Sequence, residues 1–134
     1  LLLDWLPHTR LPTLVCGDFN AFPSSVSIQK MKLVFASAFE HVHGREPEYT
    51  APTPLPRSLR FMAQTARFFW RQFSLRLLFS KGKGTLDYIF YNSGLTALDA
   101  DLALNQPASQ NKRLFPSDHF GLWAAIDFSE RGQY

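Results

Sequence analysis

The stretch from Leu11 to Asn20 constrains the fold of this chain more than any other. Residues 11–16 are almost wholly apolar and include β-branched Thr13 and Val15. Such a run, bounded by turn residues, suits a short strand covered on both faces. Gly17 then lets the backbone bend, and Asp18 and Asn20 follow with one residue between them. Residues two apart in an extended chain point the same way. Asp18 and Asn20 are therefore expected to project together, with Phe19 facing the core. A carboxylate beside an amide at a strand's end suits metal binding, water activation or phosphate contact. Gly, Asp and Asn are also the commonest turn residues, so on this stretch alone a plain turn fits as well as a site.

The 134 residues suffice for one domain with a sizeable core. With 46% hydrophobic and 19% charged residues, the composition is that of a globular chain and excludes wholesale disorder. The single cysteine, Cys16, excludes an internal disulfide framework, and with four His it offers no zinc-ligand spacing. Its place in the apolar run marks it as an inert buried thiol. Leu1-Leu2-Leu3 lacks the basic flank of a signal peptide, and no apolar run approaches a membrane span. The expectation is an intracellular, cytoplasmic protein. The chain opens without Met in what reads as the end of a helix (residues 1–6), as a C-terminal fragment would. Net charge is only +3, but residues 57–83 hold seven of the 14 Lys and Arg and no Asp or Glu. Such a segment favours a polyanion, either nucleic acid or an anionic membrane.

The pattern along the chain alternates strands and helices, an α/β reading. Pro23-Ser24-Ser25 opens a helix that either Ser can cap, running to about Met31 or Val34. Residues 33–39 return apolar side chains to the core, 41–48 read as a polar loop, and Tyr49-Thr50 as a short extended piece. Pro52, Pro54 and Pro56 make a stiff linker. Residues 58–79 read as a basic amphipathic helix, with Arg60, Gln64, Arg67, Arg71 and Ser74 on one face and an aromatic-rich stripe opposite. That helix fits three roles: an ordinary surface helix, an interfacial membrane helix, or a basic lid over a phosphate substrate. After a flexible break at 81–84, residues 85–91 form a clear strand with Asp87 inside it. Residues 98–104 alternate as a half-exposed strand with Leu98, Ala100, Leu102 and Leu104 on one side. Residues 120–128 form the closing strand, and 129–134 a tail.

Three polar knots interrupt the apolar strands: Asp18 with Asn20, Asp87, and Asp118 with His119. An ionised Asp in an apolar strand is costly unless paired, and His119 is an attractive partner for Asp87. A carboxylate would hold the imidazole in one orientation and raise its pKa, so that the ring could stabilise charge on a phosphate. Each knot alone also fits a solvent-facing strand residue or a polar loop. Three together, each at or in a strand, point to a site.

Gly17-Asp18-Phe19-Asn20, Thr85-Leu86-Asp87-Tyr88-Ile89-Phe90 and Pro116-Ser117-Asp118-His119-Phe120, in that order, resemble the last three signature blocks of the endonuclease/exonuclease/phosphatase superfamily. The resemblance covers residues 1–128, as a partial domain, except for a basic insert at about 52–80. Ala36-Ser37-Ala38-Phe39 and Gly44-Arg45-Glu46-Pro47-Glu48-Tyr49-Thr50 look most like the deadenylase and nocturnin branch. The resemblance implies the C-terminal half of a four-layer α/β sandwich of the DNase I-like kind, with a mostly antiparallel or mixed sheet and outer helices. It implies that Asp18 orients and deprotonates the attacking water and that Asn20 bonds the scissile phosphate. Asp87 would hold His119, and His119 would donate to a phosphate oxygen. Asp118, with Asp18, would bind a divalent metal, Mg²⁺ or alternatively Mn²⁺. Arg67 and Arg71 would contact substrate.

The family's first half, with its metal-binding Glu, has no match here, so a complete site would need a missing N-terminal half. The leading expectation is a Mg²⁺-dependent phosphodiesterase acting on nucleic acid, RNA before DNA. Two alternatives stand beside it. One is a phospholipid- or phosphoinositide-directed hydrolase seated on an anionic membrane through 58–79. The other is a non-catalytic remnant that serves as a binding module.

Overall fold

A computed structural model describes Leu3, Leu6 and residues 11–51 and 83–128. The proposed insert at 52–80, the helix at 58–79 with Arg67 and Arg71, and the tail at 129–134 lie outside the described residues. So does most of the expected helix at 1–6.

Seven elements order the described chain: β1 (Leu14–Asp18), α1 (Val26–Lys32), β2 (Ala36–Ser37), α2 (Ala38–His43), β3 (Asp87–Tyr91), β4 (Thr96–Ala103) and β5 (Gly121–Asp127). They form a three-stranded sheet in the order β1-β3-β2 and a two-stranded sheet of β4 and β5. Every named pairing is antiparallel. In the central strand β3, successive side chains face opposite ways, and each face meets its own core. Tyr88 and Phe90 pack with Ile28, Met31 and Phe35, which places α1 on one side of the sheet. Tyr91, with half-buried Ile89, packs with Ala38, Leu95, Ala97 and Ala100, joining α2 and the β4–β5 sheet on the other side. The result is a layered α/β arrangement. No helix among the described residues is long and apolar enough to cross a membrane.

Local sequence explains most boundaries. Ser25 caps α1 by accepting from the Ile28 N–H at 3.3 Å, and Lys30 and Lys32 sit in its last turn, where they oppose the helix dipole. Lys32 then ties α1 to the next segment through Glu40 (2.6 Å) and Glu46 (2.8 Å).

Four expectations need correction. β1 is not covered on both faces: Leu14 is 43% exposed and Cys16 is exposed. Among the described residues it pairs with β3 alone, at the edge of its sheet. Residues 41–43 belong to α2 rather than a loop, because Phe39 and Val42 give that segment an apolar face against the second core. The alternation expected in β4 breaks at a register shift between Ala97 and Asp99, which turns Leu98 outward, 66% exposed, and buries Ala97 and Ala100. Leu33 and Val34, expected to return to the core, are exposed, and Phe35 carries the return.

Candidate active site

Asp18 ends β1 and Asp87 begins β3, and antiparallel register sets them directly opposite each other. Side chains of opposed residues share a face, so the two carboxylates converge. His119 comes from the segment just before β5, whose backbone is fixed by the Phe120 N–H donating to the Thr50 carbonyl at 2.8 Å. The ligand-capable atoms of Asp18, Asp87 and His119 all lie within 4.8 Å of one another. Three segments distant in sequence therefore meet at one point, as the three polar knots suggested.

The central contact is His119 Nδ1 to Asp87 Oδ2 at 2.9 Å. An ionised carboxylate can only accept, so Nδ1 carries the proton and Nε2 is left for chemistry. Burial pushes the His119 pKa down, but the hydrogen bond to Asp87 and the charges of Asp87, Asp18 and Asp118 outweigh it. The net shift is upward from 6.5. The site thus favours an imidazolium.

Thr50 was not singled out in the sequence as a site residue, yet it organises the pair. Its side chain is fully buried. Its hydroxyl donates to Asp87 Oδ2 at 2.6 Å and accepts from the N–H groups of Leu86 (3.0 Å) and Asp87 (3.2 Å). Donor and both lone pairs are used, which orients the carboxylate from below. The available signal was a buried-looking β-branched hydroxyl residue, which must find partners.

Asn20 sits in a turn closed by its own N–H donating to Asp18 Oδ1 at 2.7 Å. Its φ of +48° takes it out of the extended geometry assumed from the sequence. The link between Asp18 and Asn20 runs through the Asn20 backbone N–H within that turn, not through two side chains alternating along a strand. Phe19 faces the core as expected, edge-on to Tyr88 and Phe90 at 5.6 and 5.4 Å between ring centroids. Asp118 lies outside the three-residue cluster, exposed, with the Ser117 hydroxyl donating to its Oδ1 at 3.3 Å. The His119 N–H donates to Ser117 Oγ at 3.1 Å.

Two carboxylates and an imidazole within this span fit a divalent cation. Asp87 and His119 already satisfy each other, so exposed Asp18 is the carboxylate of the cluster best placed to hold an ion. Oxygen donors of this kind suit a hard divalent ion that keeps part of its water shell.

The model of the Endonuclease/Exonuclease/phosphatase family matches residues 1–119. Among solved structures, the chain is similar to an endonuclease/exonuclease/phosphatase family protein from Leptotrichia buccalis C-1013-b. The TM-score is 0.55 at 20% identity, and the match covers 95% of this chain and 40% of that one. At this identity the likeness speaks to the fold: a DNase I-like α/β sandwich, of which this chain spans a part. No curated protein matches the chain.

Proposed function

Since the chain belongs to the Endonuclease/Exonuclease/phosphatase family, a family of hydrolases, we propose that it supplies part of the active site of a Mg²⁺-dependent phosphodiesterase acting on nucleic acid. The observation that carries this reading is the run of hydrogen bonds from Thr50 through Asp87 to His119, with ligand-capable atoms of Asp18, Asp87 and His119 all within 4.8 Å of one another.

The residues divide the work by their chemistry. Asp18, the exposed carboxylate, accepts the proton of the attacking water. His119 donates an Nε2 hydrogen bond to a non-bridging phosphate oxygen as negative charge builds there, while the water oxygen bonds to phosphorus, the ester P–O bond breaks and the departing alkoxide takes a proton from solvent. Asp87 fixes the tautomer and orientation of that ring, and Thr50 fixes Asp87. Asn20 donates its amide N–H to a non-bridging phosphate oxygen. Asp18, with Asp118 reaching the ion through water, would hold a divalent cation, which would supply Lewis-acid stabilisation of charge on the phosphate. RNA is favoured over DNA because Glu46-Pro47-Glu48-Tyr49-Thr50 resembles the deadenylase branch. The basic residues of 57–83, Arg67 and Arg71 among them, suit a polyanionic substrate.

The test is a set of parallel assays of the full-length protein with Mg²⁺ on single-stranded RNA, single-stranded DNA and phospholipid vesicles. Hydrolysis of RNA in excess of the others, lost on chelation and restored by Mg²⁺, is expected. Cleavage of phospholipid with nucleic acids untouched would replace this substrate class. Turnover that survives chelation would remove the metal.

A further inference from the structure

We infer that Tyr88 is a positioning residue for Asn20, holding the phosphate-binding turn from beneath through its phenolic hydroxyl. The inference rests on the proposed role of Asn20 in contacting the scissile phosphate.

Tyr88 faces the α1 side of β3, away from the Asp18–Asp87–His119 cluster, and is only 1% exposed. Its hydroxyl lies 2.8 Å from the carbonyl of Ala21, the residue directly after Asn20, and 3.1 Å from the carbonyl of Thr85. A phenol has a single proton to give, so the shorter contact is the principal bond and the Thr85 carbonyl shares it. Burial raises the pKa of the phenol, with the charges of Glu46, Asp87 and Glu40 adding to it, so the proton stays on the oxygen throughout the neutral range.

The turn needs an anchor of this kind. Asn20 sits at φ +48°, in the left-handed region that asparagine enters more readily than most residues but does not occupy exclusively, so the bonds around it decide how firmly it is held there. Two bonds fix the turn's entry: the Phe19 N–H to the Leu86 carbonyl at 2.8 Å and the Asn20 N–H to Asp18 Oδ1 at 2.7 Å. On the exit side, the Tyr88 bond to Ala21 ties the turn to the strand that carries Asp87. Phe22 continues the anchorage by packing so closely on Gly84 that a Cβ there would stand 2.0 Å from Phe22 Cε1. A single strand thus sets both the Asp87 carboxylate, on one face, and the Asn20 turn, through the opposite face.

The test combines Tyr88→Phe, which removes one oxygen and keeps the ring, with Asn20→Ala in a double-mutant cycle on the full-length protein. Turnover of bis(p-nitrophenyl) phosphate with Mg²⁺ is one readout. Amide hydrogen exchange at Phe19, Asn20 and Ala21 is the other. Asn20→Ala should lower kcat about 100-fold, as loss of an oxyanion donor does. Tyr88→Phe should lower kcat about tenfold with KM within about twofold, and should add almost nothing in the Asn20→Ala background, because coupled residues are non-additive. Exchange at residues 19–21 should quicken while that of β4 stays unchanged. Equal losses from Tyr88→Phe in both backgrounds, or unchanged exchange at 19–21, would overturn the inference. If Asn20→Ala alone leaves turnover intact, the phosphate role of Asn20 falls instead, and the exchange measurement still decides whether Tyr88 holds the turn.

Discussion

Asp87 Oδ2 takes hydrogen bonds from two side chains, the Thr50 hydroxyl and the His119 ring. That double contact makes the site sensitive to single atoms. Replacing Asp87 with Asn removes the charge that holds the His119 pKa up while keeping nearly the same shape. The alkaline limb of kcat/KM against pH, expected above 6.5 in the wild type, should therefore move to lower pH in Asp87→Asn. An NMR titration of the His119 ring checks the same shift without turnover. The sign for stability follows. The folded-state pKa is raised, so the pair's contribution is fully present below the ordinary imidazole value and fades as pH rises through the raised one. Thr50→Val strips the donor from Asp87 and leaves the Leu86 and Asp87 N–H groups without their acceptor. A loss of about 1–3 kcal/mol in unfolding free energy is expected by denaturant titration, with most of it recovered in Thr50→Ser.

At the scale of elements, β3 and the segment before it act as the frame on which the site is mounted. Gly84 shows how tight that frame is: with Phe22 Cε1 2.0 Å from its missing Cβ, Gly84→Ala must push the ring or the backbone aside. It should cost about 1–3 kcal/mol by denaturant titration, as overpacking does, and Phe22→Leu in the same chain should return part of it. The link from α1 to residues 40–46 is a second fixed point. Glu46 Oε1 is buried without a well-oriented hydrogen-bond donor among the described residues, and the Lys32 ammonium at 2.8 Å is its charge partner. Lys32→Met leaves that carboxylate uncompensated and should destabilise the fold by about 3 kcal/mol. Lys32→Met with Glu46→Leu should be markedly milder. These elements were unequally legible. The Ser25 cap and the strands at β1, β3 and β5 follow from local chemistry, and sequence places them within a few residues. The bulge at Leu98 does not, because the partner strand decides which residue is left unpaired. The exposure of β1 does not either: apolar composition records what a strand is suited to, whereas its neighbours decide what covers it.

On the scale of the whole molecule, the site exists only because β1, β3 and the turn before β5 converge. Asp18, Asp87 and His119 stood out in the sequence because charged residues interrupt apolar strands, and a site is one way to stabilise such interruptions. Thr50 was hidden, since its role depends on a tertiary contact with a residue 37 positions away. Asp118 reads as part of the same knot as His119, yet the turn leaves it exposed and outside the cluster, since adjacent residues need not face one way. The match to residues 1–119 and the shared fold place these residues in a hydrolase family, while the chain spans 40% of the similar solved structure. In the proposed reading, Asp87-oriented His119 and Asp18 form a phosphodiester hydrolysis site. The most direct test is the turnover of bis(p-nitrophenyl) phosphate by the full-length protein with Mg²⁺, for the wild type, His119→Ala and Asp18→Ala. Losses of about 100-fold or more in kcat are predicted for each variant, with both variants folded by circular dichroism. Turnover within a few-fold of wild type in both would contradict the assignment.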